Sequence, residues 1–467
     1  MPRRAAEGLG GAQKTRERHT NVKFGTDGVR GVANTDLTPS FALDLGRAAA
    51  RVLASSQSPR TEAVVGGDTR VSTAMLEAAF VAGLASEGVT VHRLGVVPTP
   101  AVAFEAARRD AIGAVISGSH NPYWDNGIKL FARGGTKLPD DIEEKIEHDV
   151  TVLPAPGGEP AQLYDVEESP DYVAHLLAAL EGRTLEGLRI IVDCANGAAS
   201  SVAPRLFRAA GADVLAINHT PTGRNINDRC GATDTSALSG AILANGAHLG
   251  FALDGDADRL MAVDGHGNVV DGDHIMAICA ADLHRRGRLR DATVVVTVMT
   301  NLGFRLAMER QEISVIETPV GDRYVLEVLD SGGLTMGGEQ SGHVIFRDRA
   351  TTGDGLLTGV ILGDVVKRSD TTLAKLAAAA MTRVPQVLVN VPVVERVADA
   401  AVQVAAEIAA VESQLAGRGR VLLRPSGTEP LLRVMVEATE AEVAQTAAEH
   451  LASVVRARWG APAATSQ

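Results

Sequence analysis

The sequence predicts three related α/β domains with mixed sheets, followed by a smaller C-terminal α+β domain. Three observations carry this. The chain has 467 residues, too many for one ordinary core. An order of strand, helix and strand with short connections recurs three times, which is the signature of a parallel sheet covered by helices. After Pro385 that order breaks, and strands and helices of another arrangement follow.

The first copy runs from the strand 63-AVVGGDTRVS-72 into an Ala/Leu-rich helix, then Gly88, the strand 89-VTVHRLGVV-97 and Pro98-Thr99-Pro100. The second runs from 189-RIIVDCANGAAS-200 through a helix to Gly211, the strand 212-ADVLAIN-218 and Thr220-Pro221. The third runs from 293-TVVVTVMTNLGF-304 through a helix to 313-ISVIET-318 and Pro319. A further helix and strand then lead in each copy to a polar loop: SGSHNP (117–122), LDGDADR (253–259) and GGEQSGHV (337–344). In open α/β sheets the ligand crevice lies at the carboxyl ends of the strands, so three equivalent loops are expected around one central cleft. The last portion reads as strand, helix at about 395–415, strand, the turn 424-RPSGTEP-430, the strand 431-LLRVMVEA-438 and a final Ala-rich helix. The expected boundaries are 23–168, 169–267, 268–382 and 383–460, with a tail at 461–467. Residues 1–22, basic and without an apolar stretch, are expected to be a disordered extension rather than a secretory signal.

Composition narrows the function. Hydrophobic residues make up 45% and charged residues 22%, as in soluble globular proteins. Aromatics are only 3%, so the cores must be built from Ala, Val, Leu and Ile. A net charge of −12 argues against nucleic-acid binding, which needs a basic field. An anionic ligand must therefore meet a local cluster of Arg and Lys. Cys194, Cys230 and Cys279 form no CxxC pair, which indicates neither a zinc ribbon nor a disulfide framework and fits a reducing cytoplasm. No apolar run reaches the roughly 18 residues that suggest a membrane span.

Each polar loop has a bland reading and a chemical one. Asp254, Asp256 and Asp258 alternate with small residues, and such carboxylates can converge on a hard cation, with oxygen-only ligation favouring Mg²⁺ over zinc. A solvated acidic turn fits the triplet equally well, whereas a calcium EF-hand lacks its glycine and distal Glu in register. Arg259 beside the acids would neutralise a phosphate that a metal only partly covers. In RPSGTEP, Arg424, Ser426, Gly427 and Thr428, with Arg433 on the next strand, form a phosphate cradle or an ordinary turn. Neither Walker A nor GxGxxG can be written in the chain. Glu339, Gln340, Ser341 and His343 suit the hydroxyls or amine of a small polar ligand, or a glycine-rich hairpin with a structural His. Ser119 is a turn serine, a hydrolase nucleophile or a serine that carries a phosphoryl group. The hydrolase lacks a GxSxG elbow, and a His adjacent in sequence rarely points at its neighbour's hydroxyl. The phosphoryl carrier alone uses the acidic loop, the cradle and Lys129 together, and lets Arg30 of 24-FGTDGVRGVAN-34 hold a phosphoserine oxygen.

TDGVRG, SGSHNPYWDNGIK, DGDADR, GGEQSGH and RPSGTEP, in this order, resemble the α-D-phosphohexomutase superfamily over nearly the whole chain. TDGVRGVAN with Leu37-Thr38-Pro39, the DNGIK wording and Gln340 lie closer to its glucosamine-phosphate-converting members than to phosphomannomutase/phosphoglucomutase, whose sugar loop usually reads GEMSGH. The resemblance implies four domains around a central cleft, Mg²⁺, and exchange of glucosamine 6-phosphate and glucosamine 1-phosphate on the route to cell-wall amino sugars. It implies a phosphoserine at Ser119, whose oxygen joins Asp254, Asp256 and Asp258 on the metal. Glu339 and Ser341 would read sugar hydroxyls, and Arg424, Ser426, Gly427, Thr428 and Arg433 would hold the non-reacting phosphate. Lys129, expected among cations that lower its pKa, would take the sugar hydroxyl proton, with His120 or His343 in support. Two departures stand out. Gly118 replaces the Ala common before the serine and is expected to loosen that loop. Ala257 replaces a Gly, so the backbone there is expected to avoid positive φ. A phosphomannomutase/phosphoglucomutase, a silent sugar-phosphate-binding protein and a simple phosphatase are the rival readings. Monomer and homodimer both remain open.

Overall fold

The threefold order of elements becomes a threefold strand order. The computed structural model describes residues 24–25, 28–54, 61–156, 159–166, 170–395, 397–426 and 430–461. The expected extension at 1–22 and positions 462–467 of the expected tail lie outside that set. The first sheet comprises β1 (Phe24–Gly25), β2 (Gly28–Val32), β3 (Glu62–Gly67), β4 (Thr90–Val96), β5 (Ile112–Ile116), β6 (Asp125–Phe131) and β7 (Leu163–Asp165), in the order β1-β2-β6-β5-β3-β4-β7. The second holds β8 (Arg189–Asp193), β9 (Asp213–Ile217), β10 (Leu249–Leu253), β11 (Leu260–Asp264) and β12 (Val269–Val270), in the order β12-β11-β10-β8-β9. The third holds β13 (Thr293–Thr297), β14 (Ser314–Thr318), β15 (Met336–Gly338) and β16 (Val344–Phe346), in the order β14-β13-β15-β16.

Each sheet contains the same motif. Its first parallel strand lies between the second and the third, and an antiparallel strand pairs beside the third. The hairpin loop from the third strand to the antiparallel one is where the sequence writes SGSHNP, DGDADR and EQSGH. This topology places each polar loop at the carboxyl end of a buried strand, as the crevice rule requires.

The scarcity of aromatics is met by close backbone approach. Helices Pro39–Leu53 and Thr73–Ser86 pack so tightly that a Cβ on Gly83 would stand 2.2 Å from the Leu43 carbonyl oxygen. The first helix starts where Thr38 accepts from the Phe41 N–H at 3.1 Å and Pro39 opens the first turn, both standard start signals. Strand β5 is buried along its whole length, as expected of a strand with both faces covered.

By its contacts the chain forms two compact units, and Thr300–Ile313 groups with the chain from Ala379 onward. That second unit contains β17 (Gln386–Pro392), β18 (Gly419–Pro425) and β19 (Leu431–Ala438), an antiparallel sheet ordered β17-β19-β18. Leu423, Leu432 and Val434 of the sheet form a core with Leu451 and Val455 of the helix Ala441–Trp459. Buried Glu437 of β19 accepts from Asn301 Nδ2 at 2.9 Å, the Leu302 N–H at 3.0 Å and Arg420 Nε at 2.6 Å. The helix expected at about 395–415 is instead two, Ala400–Gln403 and Ala405–Leu415. Val393 bridges Gly460 and the Val394 N–H donates to the Trp459 carbonyl at 3.2 Å, so the chain stays extended there. Among the described residues no helix is long and apolar enough to cross a membrane.

In the first unit, Asp354 caps the helix Gly355–Arg368. Its carboxylate accepts from the Leu357 N–H at 2.9 Å and the Tyr172 hydroxyl at 2.8 Å. Burial pushes its pKa up to about 6. A carboxyl raised on folding contributes stability that is full below its unfolded pKa and is lost as pH rises through the folded value. Asp354→Asn keeps one oxygen to accept the Leu357 N–H, turns its amide N–H toward the Tyr172 hydroxyl oxygen, which can accept it, and removes the charge. It should exceed the parent in stability above pH 6 by on the order of 2 kcal/mol, with the gap closing toward pH 4. Urea midpoints across pH 4–8 check this, and a pH-independent difference would refute it.

Candidate active site

Ser119 follows β5 in the hairpin loop to β6. It is fully buried and holds the left-handed conformation, φ +50°. Its N–H donates to Ser117 Oγ at 2.9 Å, and its hydroxyl donates to Asp254 Oδ2 at 2.8 Å. Contrary to the sequence expectation, His120 does face its neighbour, with Nδ1 3.3 Å from Ser119 Oγ. The positive φ turns the two side chains together. Asp254 binds the serine rather than orienting the imidazole, so the trio lacks the order of a serine-hydrolase relay.

The acidic loop follows β10. Asp254, Asp256 and Asp258 are all buried, and one oxygen from each lies within 4.8 Å of the others. So tight a loop needs a left-handed residue. Ala257 supplies it with φ +58°, which corrects the expectation that this alanine marks a backbone without positive φ. The Ala257 N–H donates to the Asp254 carbonyl at 3.1 Å, and its own carbonyl accepts from the Gly355 N–H at 3.0 Å. The neighbouring structure thus holds a conformation that costs about 1–2 kcal/mol for a residue with a Cβ.

Charge within the cluster is uneven. Burial, then Asp258 and Asp256, push the Asp254 carboxyl well above the usual range. Burial would also raise Asp258, but Lys129, His343 and Arg259 hold it well below. Lys129 meets carboxylates before cations. Its Nζ is 2.9 Å from Asp256 Oδ2 and 3.2 Å from Asp258 Oδ2, while Thr99 Oγ1 donates to the same Asp256 oxygen at 2.7 Å. The other oxygens, Asp256 Oδ1 and Asp258 Oδ1, are buried and find no hydrogen-bond partner among the described residues. Orphaned buried oxygens are costly. An all-oxygen set of converging carboxylates fits a hard divalent cation, which would satisfy both.

Cations surround the cluster. Burial, then Arg259 and Arg30, push His120 down to about 4, so its imidazole is neutral at pH 7. His343 Nδ1 lies 3.7 Å from Asp258 Oδ2. Burial would lower its pKa, but Asp258 and Asp322 raise it above the ordinary value. The predicted residues Ser119, His120, Lys129, Asp254, Asp256, Asp258, Arg259 and His343 therefore meet in one site, with Arg30 near enough to act on His120.

This constellation has counterparts in known proteins. Sequence profiles of phosphoglucomutase/phosphomannomutase match in sequence: alpha/beta/alpha domain I at residues 21–153, domain II at 170–267, domain III at 271–384 and the C-terminal domain at 388–454. The chain belongs to the phosphoglucomutase/phosphomannomutase family. It is accordingly a phosphosugar mutase, in the α-D-phosphohexomutase superfamily. It is 54% identical over 452 residues to a phosphoglucosamine mutase of Frankia alni, covering 94% of this chain and 99% of the relative. It is also 54% identical over 440 residues to that of Thermobifida fusca, covering 93% and 98%. A phosphoglucomutase/phosphomannomutase family protein of Burkholderia thailandensis shares the fold with a TM-score of 0.78 at 24% identity, covering 94% of this chain and 97% of that one. An N-acetylphosphoglucosamine mutase of Aspergillus fumigatus, solved with GlcNAc-6P and magnesium, shares it at 0.69 and 19%, covering 97% and 99%.

The remaining predicted residues of this phosphohexomutase fall into two groups. In the first unit, Glu339 Oε1 accepts from the Gly321 N–H at 3.1 Å, and Ser341 Oγ lies 3.5 Å from Glu339 Oε2. Gln340 donates to Asp273 Oδ2 at 3.2 Å, so its amide braces the loop. In the second unit, Arg424 and Arg433 are cross-strand partners on β18 and β19. Burial and then Arg433 lower the Arg424 pKa. Like charges directly opposite are destabilising, and an anion there would relieve them. Ser426 is buried, with its N–H donating to the Leu431 carbonyl at 2.8 Å. Gly427 and Thr428 lie outside the described residues.

Gly118 lies beneath the side chain of Arg70, whose guanidinium is 3.0 Å from where a Cβ would stand. Sequence reading missed Arg70, Asp68, Thr99 and Asn227. The signal for the first two was GDTR at the carboxyl end of β3, the same end that carries the other loops.

Crowded carboxylates make a prediction about stability. Asp254→Asn relieves the repulsion, so the metal-free protein should melt a few degrees higher than the parent. The rise in melting temperature that a divalent cation gives the parent should disappear. A lower metal-free melting temperature with the cation response kept would contradict the assignment.

Proposed function

We propose that this phosphohexomutase interconverts glucosamine 6-phosphate and glucosamine 1-phosphate through a phosphoserine at Ser119 and glucosamine 1,6-bisphosphate. The amino sugar phosphate so made would feed UDP-N-acetylglucosamine and peptidoglycan synthesis. The observation that carries the reading is the contact of Ser119 Oγ with Asp254, 2.8 Å, inside a buried acidic cluster ringed by Arg30, Arg259 and Lys129. Full-length similarity to phosphoglucosamine mutases supports the choice of sugar.

The phosphoryl group bonds to a free sugar hydroxyl as the bond to Ser119 Oγ breaks, and the hydroxyl proton passes to a base. The bisphosphate then turns within the site, and its other phosphoryl group returns to Ser119. Phosphoserine carries a charge of about −1.5 to −2, which Arg30 and Arg259 offset. His120, neutral and 3.3 Å from Ser119 Oγ, is suited to accept a proton at the reacting oxygens. Lys129, 2.9 Å from Asp256 and 3.2 Å from Asp258, screens their repulsion, and it is a second candidate to take the sugar hydroxyl proton. Asp254, Asp256 and Asp258, with an oxygen of phosphorylated Ser119, would hold Mg²⁺, which when bound polarises phosphoryl oxygens and stabilises the leaving alkoxide. Glu339 pairs with the substrate ammonium and Ser341 with a hydroxyl. Arg424, Ser426, Gly427, Thr428 and Arg433 supply the grip on the non-reacting phosphate. Three buried free thiols, Cys194, Cys230 and Cys279, suit a reducing cytoplasm.

The test is kcat/KM of the phosphorylated, Mg²⁺-supplied enzyme on glucosamine 6-phosphate, glucose 6-phosphate and mannose 6-phosphate. We expect the amino sugar to be preferred by at least about 10-fold, the effect of one well-placed charge pair of about 1.4 kcal/mol. Equal or better turnover of glucose or mannose phosphate would move the chain to the broader hexose mutases, and phosphate release without isomerisation would make it a phosphatase.

A further inference from the structure

Ser119 is held from behind by a network that the reaction scheme does not use. Arg70, which follows β3, is buried in the first unit, and its guanidinium spends all five of its N–H donors. Nε donates to Asp68 Oδ2 at 2.8 Å. Nη1 donates to the carbonyls of Pro122 and, at 3.0 Å, of Asp125. Nη2 donates to the carbonyls of Ser119 and Asn121, each at 2.8 Å. Four carbonyls of the segment from Ser119 to the start of β6 therefore converge on a single side chain.

Asp68 extends the network to the other side of the serine. It accepts from Ser117 Oγ at 2.6 Å, and Ser117 Oγ in turn accepts the Ser119 N–H at 2.9 Å. Both the N–H and the carbonyl of Ser119 are thus tied to the Asp68–Arg70 pair. Asn227, from the second sheet's segment, adds Nδ2 to the same two carbonyls, 2.8 Å to Ser119 and 3.0 Å to Asn121.

We infer that Arg70 is a positioning residue of the mutase: by gathering four carbonyls it fixes the left-handed backbone of Ser119 and aims Oγ at Asp254, with Asn227 as its second support. The inference rests on the reading of Ser119 as the phosphoryl carrier. Left to itself, a serine at φ +50° would relax toward negative φ and swing Oγ off the acidic cluster. Arginine suits the role because its planar fork reaches several acceptors at once and stays charged when buried. Gly118 leaves room beneath it, since a Cβ there would make a tight 3.0 Å contact with the guanidinium carbon. The role differs from plain stabilisation in what it limits. A misaimed phosphoserine slows transfer and is open to water, while sugar-phosphate binding, made by other residues, is kept.

The experiment compares Arg70→Lys and Asn227→Ala with the parent, each purified as folded full-length protein and phosphorylated at Ser119, with phosphorylation checked by peptide mass spectrometry. Lysine keeps the charge beside Asp68 but cannot span four carbonyls. We expect kcat to fall at least about 30-fold in Arg70→Lys, with KM for the sugar phosphate within about 3-fold. Inorganic phosphate released per isomerised sugar should rise. Asn227→Ala should show the same pattern more weakly, and it decides the matter if Arg70→Lys does not fold. Parental kcat per phosphorylated enzyme, or a raised KM with unchanged kcat, would overturn the inference. Failure to find phosphate on Ser119 of the active parent would instead overturn the reading on which it rests.

Discussion

Three carboxylates closed away from water repel one another, and the site of this phosphohexomutase is organised around that repulsion. Asp254, Asp256 and Asp258 converge within 4.8 Å; a serine hydroxyl meets the first, a lysine and a threonine the second, and the same lysine with an imidazole the third. Two carboxylate oxygens are left over. A hard cation held by the three aspartates would satisfy them, and Arg30 and Arg259 would offset a phosphate brought beside it. The acidic loop thus creates a demand for positive charge.

The repeated strand order explains how such a cluster is assembled from distant parts of the chain. One motif, written three times, ends each time in a hairpin loop at the carboxyl edge of its sheet. The first loop carries the hydroxyl, the second the acids, and the third the polar groups and His343. Contacts such as Ser119 to Asp254 and Lys129 to Asp256 cross from the first sheet and its loop to the loop of the second. Burial then does the chemical tuning, since it raises Asp254 and lowers His120 while the opposed charges hold Asp258 ionised.

Motif and order were legible in the sequence because they are local: β-rich runs, helices between them, and polar residues clustered after a strand. The three copies, their loops and the strands of the C-terminal sheet all follow from such runs. Backbone conformation was less legible. Ala257 looked like a residue that excludes positive φ, yet hydrogen bonds from Gly355 and to Asp254 hold it there. Side-chain direction was least legible. His120 faces Ser119, Lys129 lies between carboxylates, and Arg70 reaches carbonyls some 50 residues away in sequence. None of these directions is encoded by spacing along one strand or helix.

The central claim is that Ser119 carries the phosphoryl group that the sugar receives. A single-turnover experiment tests it directly: enzyme labelled with ³²P on Ser119 is mixed with excess glucosamine 6-phosphate, quenched on the millisecond scale, and its products separated. The account predicts that label leaves the serine for a sugar bisphosphate first and appears in sugar monophosphate afterwards. Label that stays on the protein while sugar isomerises, or that leaves only as inorganic phosphate, would contradict it.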